Sequence, residues 1–183
     1  MEAFLVSTLI VAIGEIGDKT QLLALLLSAR YRRPLPIIIG ILVATLANHT
    51  LAAVVGEWIR SAMSPQTLRW ALGASFIAIG IWALKPDTIE EKRSAMGGYG
   101  VFLVTTSAFF LAEIGDKTQL ATVALAARFN DLLLVVVGTT LGMLLANIPA
   151  VYLANKAAPR IPIRAIRIVA AGLFIVLGIG ALA

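Results

Sequence analysis

Apolar residues gather into six runs along the chain, at roughly 3–29, 35–57, 67–85, 100–127, 131–153 and 164–182. Each approaches or exceeds the ~20 residues that a helix needs to cross a bilayer. Between them stand Arg33-Pro34-Leu35-Pro36, Ser64-Pro65, Phe129-Asn130-Asp131 and the pair Pro159 and Pro162, residue types that end helices or favour turns. Tyr31, Trp58, Trp70, Trp82, Tyr99 and Tyr152 all fall near a predicted end, where amphipathic rings favour a membrane interface. The pattern predicts an all-α membrane protein of six transmembrane helices.

One polar stretch is longer than the rest, from Lys85 to Gly100, and mixes Lys, Glu, Asp and Gly. It predicts a cytoplasmic linker at 86–99 between two units, 1–85 and 100–183. The units are repeats. A shift of 98 residues lays Phe4-Leu5-Val6 on Phe102-Leu103-Val104, Gly40 on Gly138, Arg69 on Arg167, Phe76 on Phe174 and Gly80 on Gly178; one further residue of shift lays Ala47-Asn48 on Ala146-Asn147. Three spans per unit is an odd number, so the second unit enters the membrane from the opposite side and the repeats are inverted. Arg30, Arg32, Arg33, Lys85, Lys92, Arg93, Lys156, Arg160, Arg164 and Arg167 collect at the connections after the first, third and fifth spans, against Arg60, Arg69 and Arg128 on the other face. The positive-inside rule puts the first set in the cytoplasm and both termini outside.

Composition narrows the class further. The chain is 60% hydrophobic and 14% charged with a mean hydropathy of +0.94, beyond the roughly 45–50% apolar share of soluble domains. A net charge of +5 would fit nucleic acid, but the basic residues sit at the ends of apolar runs and form no patch, so nucleic acid is not an expected partner and the lipid bilayer is. With no cysteine, thiolate metal sites, disulfides and thiol catalysis are excluded. The N-terminal run has no basic flank and no small-residue cleavage site, and reads as a retained helix.

Candidate chemistry lies in an octapeptide that occurs twice. Glu15-Ile16-Gly17-Asp18-Lys19-Thr20-Gln21-Leu22 recurs letter for letter as Glu113-Ile114-Gly115-Asp116-Lys117-Thr118-Gln119-Leu120, each copy in the middle of an apolar run. Ionisable groups at that depth cost about 3 kcal/mol each on insertion scales, so they are rare and mark ion or substrate pathways. On a continuous helix Glu15 and Asp18 share a face, as do Glu113 and Asp116. Inverted repeats bring their first helices together near the midplane, so the four carboxylates are expected to converge. A cluster of that kind is not sustained fully charged and unpaired. Protons or cations must occupy it, which is the basis of an exchange reaction.

Four carboxylates with Lys19 and Lys117 sum to minus two, the charge that one divalent ion neutralises. Oxygen ligands suit hard ions such as Ca²⁺, Mn²⁺ or Mg²⁺ rather than Zn²⁺ or Cu⁺. Thr20, Gln21, Asn48, Thr118, Gln119 and Asn147 offer further neutral oxygens. Gly17 and Gly115 weaken a helix and allow close approach, with backbone carbonyls as additional donors. The competing structural account pairs Glu15 with Lys19 and Glu113 with Lys117 inside each helix as packing devices, but packing needs no second carboxylate and no letter-perfect duplication. The lysines themselves read first as counter-ions that hold the carboxylates apart, and second as direct participants in gating or proton coupling. His49, the single histidine, has Ile148 as its repeat counterpart and reads as a packed group rather than a ligand. Pro149 is expected to kink its helix, and Gly138, Gly142 and Ala146 to serve close helix packing. No resident cofactor is expected. An intramembrane enzyme is disfavoured because no histidine cluster, cysteine or serine-base arrangement accompanies the acids.

The doubled Glu-x-Gly-Asp-Lys-Thr motif resembles the hallmark of a transporter family of bacteria, thylakoids and the Golgi, whose members move Mn²⁺ and Ca²⁺ in exchange for protons. The likeness covers essentially the whole chain and every motif position. The longer N-terminal region and extended central loop of eukaryotic relatives are missing, so the chain looks like a minimal bacterial member. The resemblance implies Glu15, Asp18, Glu113 and Asp116 as cation ligands, Mn²⁺ export across a bacterial inner membrane as the leading task with Ca²⁺ second, and protons as counter-ion. The runner-up is export of small cationic organic solutes such as basic amino acids, whose ammonium or guanidinium groups a carboxylate cluster also suits. A homodimer is an open expectation.

Overall fold

Gly17 has φ +80° and Gly115 φ +75°, backbone that L-residues other than glycine adopt only with strain, and at both places a helix stops and another starts. The computed structural model describes residues 1–85, 100–153 and 163–182. Among them are eight helices and no strand: α1 (Glu2–Glu15), α2 (Lys19–Tyr31), α3 (Pro34–Ala62), α4 (Pro65–Ala83), α5 (Val101–Glu113), α6 (Lys117–Phe129), α7 (Leu132–Leu153) and α8 (Ile163–Leu182). The runs at 3–29 and 100–127, expected as single helices, are therefore each broken in two. Glu15 and Asp18 do not share a helix face: Glu15 ends α1, Ile16 turns extended at ψ 118°, and Asp18 caps α2 with ψ 169°. Glu113, Ile114 and Asp116 repeat this geometry between α5 and α6.

Length follows from the break. At 1.5 Å rise per residue, the 13- and 14-residue half-helices reach only about 20 Å, short of a ~30 Å hydrocarbon layer. α3 and α7, with 29 and 22 residues, are long and apolar enough to cross alone. The turns after the broken pairs match too, with Arg32 at φ 52° and Asn130 at φ 50° closing α2 and α6. Asp131 then accepts a hydrogen bond from Leu134 N at 3.1 Å at the start of α7.

Packing exchanges the two halves of the chain. α1 and α2 lie against α7, α5 and α6 lie against α3, α3 crosses α7, and α4 pairs with α8. Small residues allow the close contacts. A β-carbon on Gly138 would stand 2.6 Å from Phe4 O, one on Gly142 2.6 Å from Thr8 O, and one on Gly40, the counterpart of Gly138, 3.0 Å from Phe102 O. The small-residue stripe of α7 serves packing as expected.

Two apolar cores result. One joins α1, α3, α6 and α7 to Leu72, Phe76 and Ile79 of α4 and Phe174 of α8. The other joins α1, α2, α3, α5 and α7 through residues such as Leu27, Ile41, Phe109 and Met143, with no residue of α4 or α8 among those described. Leu5, Leu51, Val137 and Val176 point outward, as lipid-facing side chains do. Trp58, Trp70 and Tyr152 are exposed as well. Tyr99, the linker 86–99, Pro159, Pro162, Lys92, Arg93, Lys156, Arg160 and the side chain of Arg167 lie outside the described residues.

Candidate functional site

Each break frees backbone groups that the motif itself satisfies. Asp18 Oδ1 accepts from Lys19 N at 2.6 Å as the α2 cap. Gln21 Oε1 accepts from Gly17 N at 2.8 Å, and Gln119 Oε1 from Gly115 N at 2.7 Å. A glutamine three residues past the cap thus reaches back to hold the turn, in the manner of a capping box. The oxygens that the sequence offered as neutral ligands on Gln21 and Gln119 are engaged here instead. Gln21 Nε2 also donates to Ala146 O at 2.9 Å, fastening α2 to α7.

Three of the four carboxylates meet. Glu15, Glu113 and Asp116 each supply an oxygen, and these atoms lie within 4.8 Å of one another. All three residues are buried. Thr20 Oγ1 donates to Glu15 Oε2, and Thr118 Oγ1 donates to Glu113 Oε2 at 3.1 Å. Each threonine fixes one oxygen of its glutamate, and the other oxygen, Oε1 of Glu15 and of Glu113, is buried with no hydrogen-bond partner. Such orphaned acceptors are costly. Both glutamates end their helices, where the macrodipole is negative, so the helix ends add to the attraction for a positive charge.

The lysines pair across the halves. Lys19 Nζ stands 2.7 Å from Asp116 Oδ1, and Lys117 Nζ 3.0 Å from Asp18 Oδ2. This departs from the within-helix pairing of the competing structural account, because the chain breaks between glutamate and lysine and turns the lysine toward the other motif. Buried ion pairs survive only with such close partners.

Asn48 and Asn147 differ. Asn48 Nδ2 donates across to Phe110 O at 3.0 Å, one turn before Glu113. Asn147 Nδ2 donates within its own helix to Met143 O at 3.0 Å. The Oδ1 of each is buried and has no partner. His49 is buried among apolar helices with neither ring nitrogen hydrogen-bonded.

Sequence reasoning missed Phe174. A β-carbon on Gly14, next to Glu15, would stand 3.8 Å from Phe174 Cε2 and 3.8 Å from Thr118 Cγ2, so the ring of α8 stands beside the residue that precedes Glu15. The repeat match of Phe76 with Phe174 was its visible signal. Cover is one-sided, since α4 packs on α6 and α8 on α1, while neither packs comparably on α2 or α5. Gly17 is buried but Gly115 is exposed, and the Lys19 side chain is 27% exposed against 4% for Lys117. A separate cavity of about 600 Å³ between α3, α4 and α6, lined by residues such as Trp58, Trp82 and Val123, carries no charged side chain among the described residues. Its chemistry suits lipid tails, not ions.

Comparison with known proteins agrees with the motif. The family described as divalent cation/proton antiporter GDT1 matches residues 3–91 and 101–183. A Vibrio cholerae protein named "Putative manganese exporter" is 49% identical over 180 residues, covering 98% of this chain and 90% of that protein. A GDT1-like protein of Synechocystis is 29% identical over 95% of this chain and 93% of its own length. GDT1-like protein 5 of Arabidopsis thaliana is 28% identical over 100% and 96%. No solved structure matches.

Proposed function

Because this chain belongs to the GDT1 family of divalent cation/proton antiporters, a family of transporters and not enzymes, we propose that it exports Mn²⁺, with Ca²⁺ as a second substrate, in exchange for protons. One observation carries the reading: buried oxygens of Glu15, Glu113 and Asp116, drawn from both halves of the chain, stand within 4.8 Å of one another. In this proposal those three bind the ion and Asp18 holds Lys117 beside them, with Thr20 and Thr118 orienting the glutamates and Asn48 and Asn147 supplying neutral oxygens. Hard oxygen donors suit Mn²⁺ and Ca²⁺. The manganese exporter name of the Vibrio relative puts Mn²⁺ first.

The two units, 1–85 and 100–183, act as inverted three-helix repeats that cross a bacterial inner membrane six times, with both termini outside. Support comes from the exchanged packing and from the twin breaks, since discontinuous helices near the midplane build ion sites in inverted-repeat transporters. In the cytoplasm-facing state, the ion displaces protons from the carboxylates. In the outward-facing state, protons displace the ion. The α4–α8 pair is the moving cover, resting here on α1 and α6 and in the other state on α2 and α5.

Transport into proteoliposomes under an imposed pH gradient, scanning Mn²⁺, Ca²⁺, Mg²⁺ and Zn²⁺, tests the proposal. The expected result is Mn²⁺ flux that follows the gradient and collapses with it. Absence of any gradient-dependent cation flux overturns it, and thermal protection by lysine or arginine in place of Mn²⁺ would redirect it to organic cations.

A further inference from the structure

We infer that Lys19 is a tethered rival of the transported cation, holding Asp116 while the site is empty and displaced from it when a divalent ion binds. The inference rests on the reading of the carboxylate cluster as the transport site, and goes beyond it by giving the two lysines different tasks. Lys19 Nζ stands 2.7 Å from Asp116 Oδ1, and Asp116 belongs to the cluster of converging oxygens with Glu15 and Glu113. Lys117 pairs with Asp18, which lies outside that cluster.

An ion bound to Asp116 would stand within a few ångströms of the Lys19 ammonium. Two positive charges at that separation repel strongly in a desolvated site. Lys19 has a way out and Lys117 does not. The Lys19 side chain is 27% exposed and sits on a flexible four-carbon stem, whereas that of Lys117 is 4% exposed, so only Lys19 can retract its charge toward water without stripping it of solvent. When the ion leaves, the ammonium returns to Asp116. Lys19 thereby lowers affinity and speeds release, which a carrier needs as much as it needs capture.

The test uses the purified full-length protein, titrated with Mn²⁺ by calorimetry and assayed for export in proteoliposomes. Lys19→Gln is expected to bind Mn²⁺ roughly tenfold or more tighter, by removal of one competing charge, and to export more slowly. Lys19→Arg, which keeps the charge, is expected not to show the tightening seen with Lys19→Gln. Folded Lys19→Gln with unchanged or weaker Mn²⁺ binding overturns the inference, since a merely structural lysine would give that result. A second measurement needs no variant: amine-directed acylation of the wild-type protein, read by peptide mass mapping. Lys19 should become more reactive on addition of Mn²⁺ while Lys117 stays protected, and constant or falling Lys19 reactivity under saturating Mn²⁺ overturns the inference. Failure of wild type to bind any divalent cation would be seen in the same titration and would strike the transport reading instead.

Discussion

The edge of the Phe174 ring closes on Gly14, where a β-carbon would stand 3.8 Å from Phe174 Cε2. That contact sets a buried ring one residue from the buried Glu15. Phe174→Ala removes a fully buried ring and is expected to cost about 3–5 kcal/mol of stability. It should also admit water to Glu15, raising its labelling by a carbodiimide; unaltered labelling would show that the ring is only filler.

Neutralising the acids should separate function from folding. Glu15→Gln and Asp116→Asn are expected to abolish Mn²⁺ export in proteoliposomes. The thermal midpoint of Glu15→Gln should hold or rise, because a buried carboxylate with an orphaned oxygen is costly in the empty protein. Asp18→Asn should behave differently and lose on the order of 3 kcal/mol, since it weakens the charge pairing of Lys117, itself buried. Near-normal export by either of the first two variants would remove those acids from the site.

Gly115 and Gly142 are predicted to fail in different ways. A β-carbon on Gly115 meets nothing within 4 Å, so Gly115→Ala carries only the backbone strain of φ +75°, about 1–2 kcal/mol. Gly115→Asn should be milder, because asparagine tolerates the left-handed region. Gly142→Ala drives a methyl into Thr8 O and Ala12 N and should push α1 off α7, with a larger loss. Thermal unfolding in detergent ranks the three.

Asn48 ties the two halves through Phe110 O, whereas the Asn147 amide stays on its own helix. Asn48→Leu strands a carbonyl of α5 and is expected to cost about 1–3 kcal/mol. Asn147→Leu should cost less in unfolding, because Met143 O lies within a helix and its loss opens no contact between halves. Equal losses would show that the cross-helix bond adds nothing.

Much of this was written in the residue order. Hydrophobic run length announced helices, Trp58, Trp70 and Tyr152 stand exposed as an interface position requires, and the duplicated octapeptide announced acids that meet in the fold. Gly17 and Gly115 carried the hint of a break, but it stayed ambiguous, since apolar residues continue on both sides and run length cannot distinguish one long helix from two short ones.

What the chain alone determined was local: which residues are apolar, where turns are cheap, and which motif recurs. The tertiary structure decided the partners. A sequence places Lys19 four residues from Glu15 and far from Asp116, and helix geometry then favours the nearer acid. Once glycine reverses the backbone between them, the nearer acid points elsewhere and the lysine finds Asp116 of the other motif. Phe174 likewise gained its place over Gly14 from the docking of α8 on α1, a contact between the two ends of the chain that no local pattern encodes. Periodicity reports the surroundings of a residue as inside or outside; which acid, which lysine and which ring share one pocket depends on how separate helices pack in three dimensions.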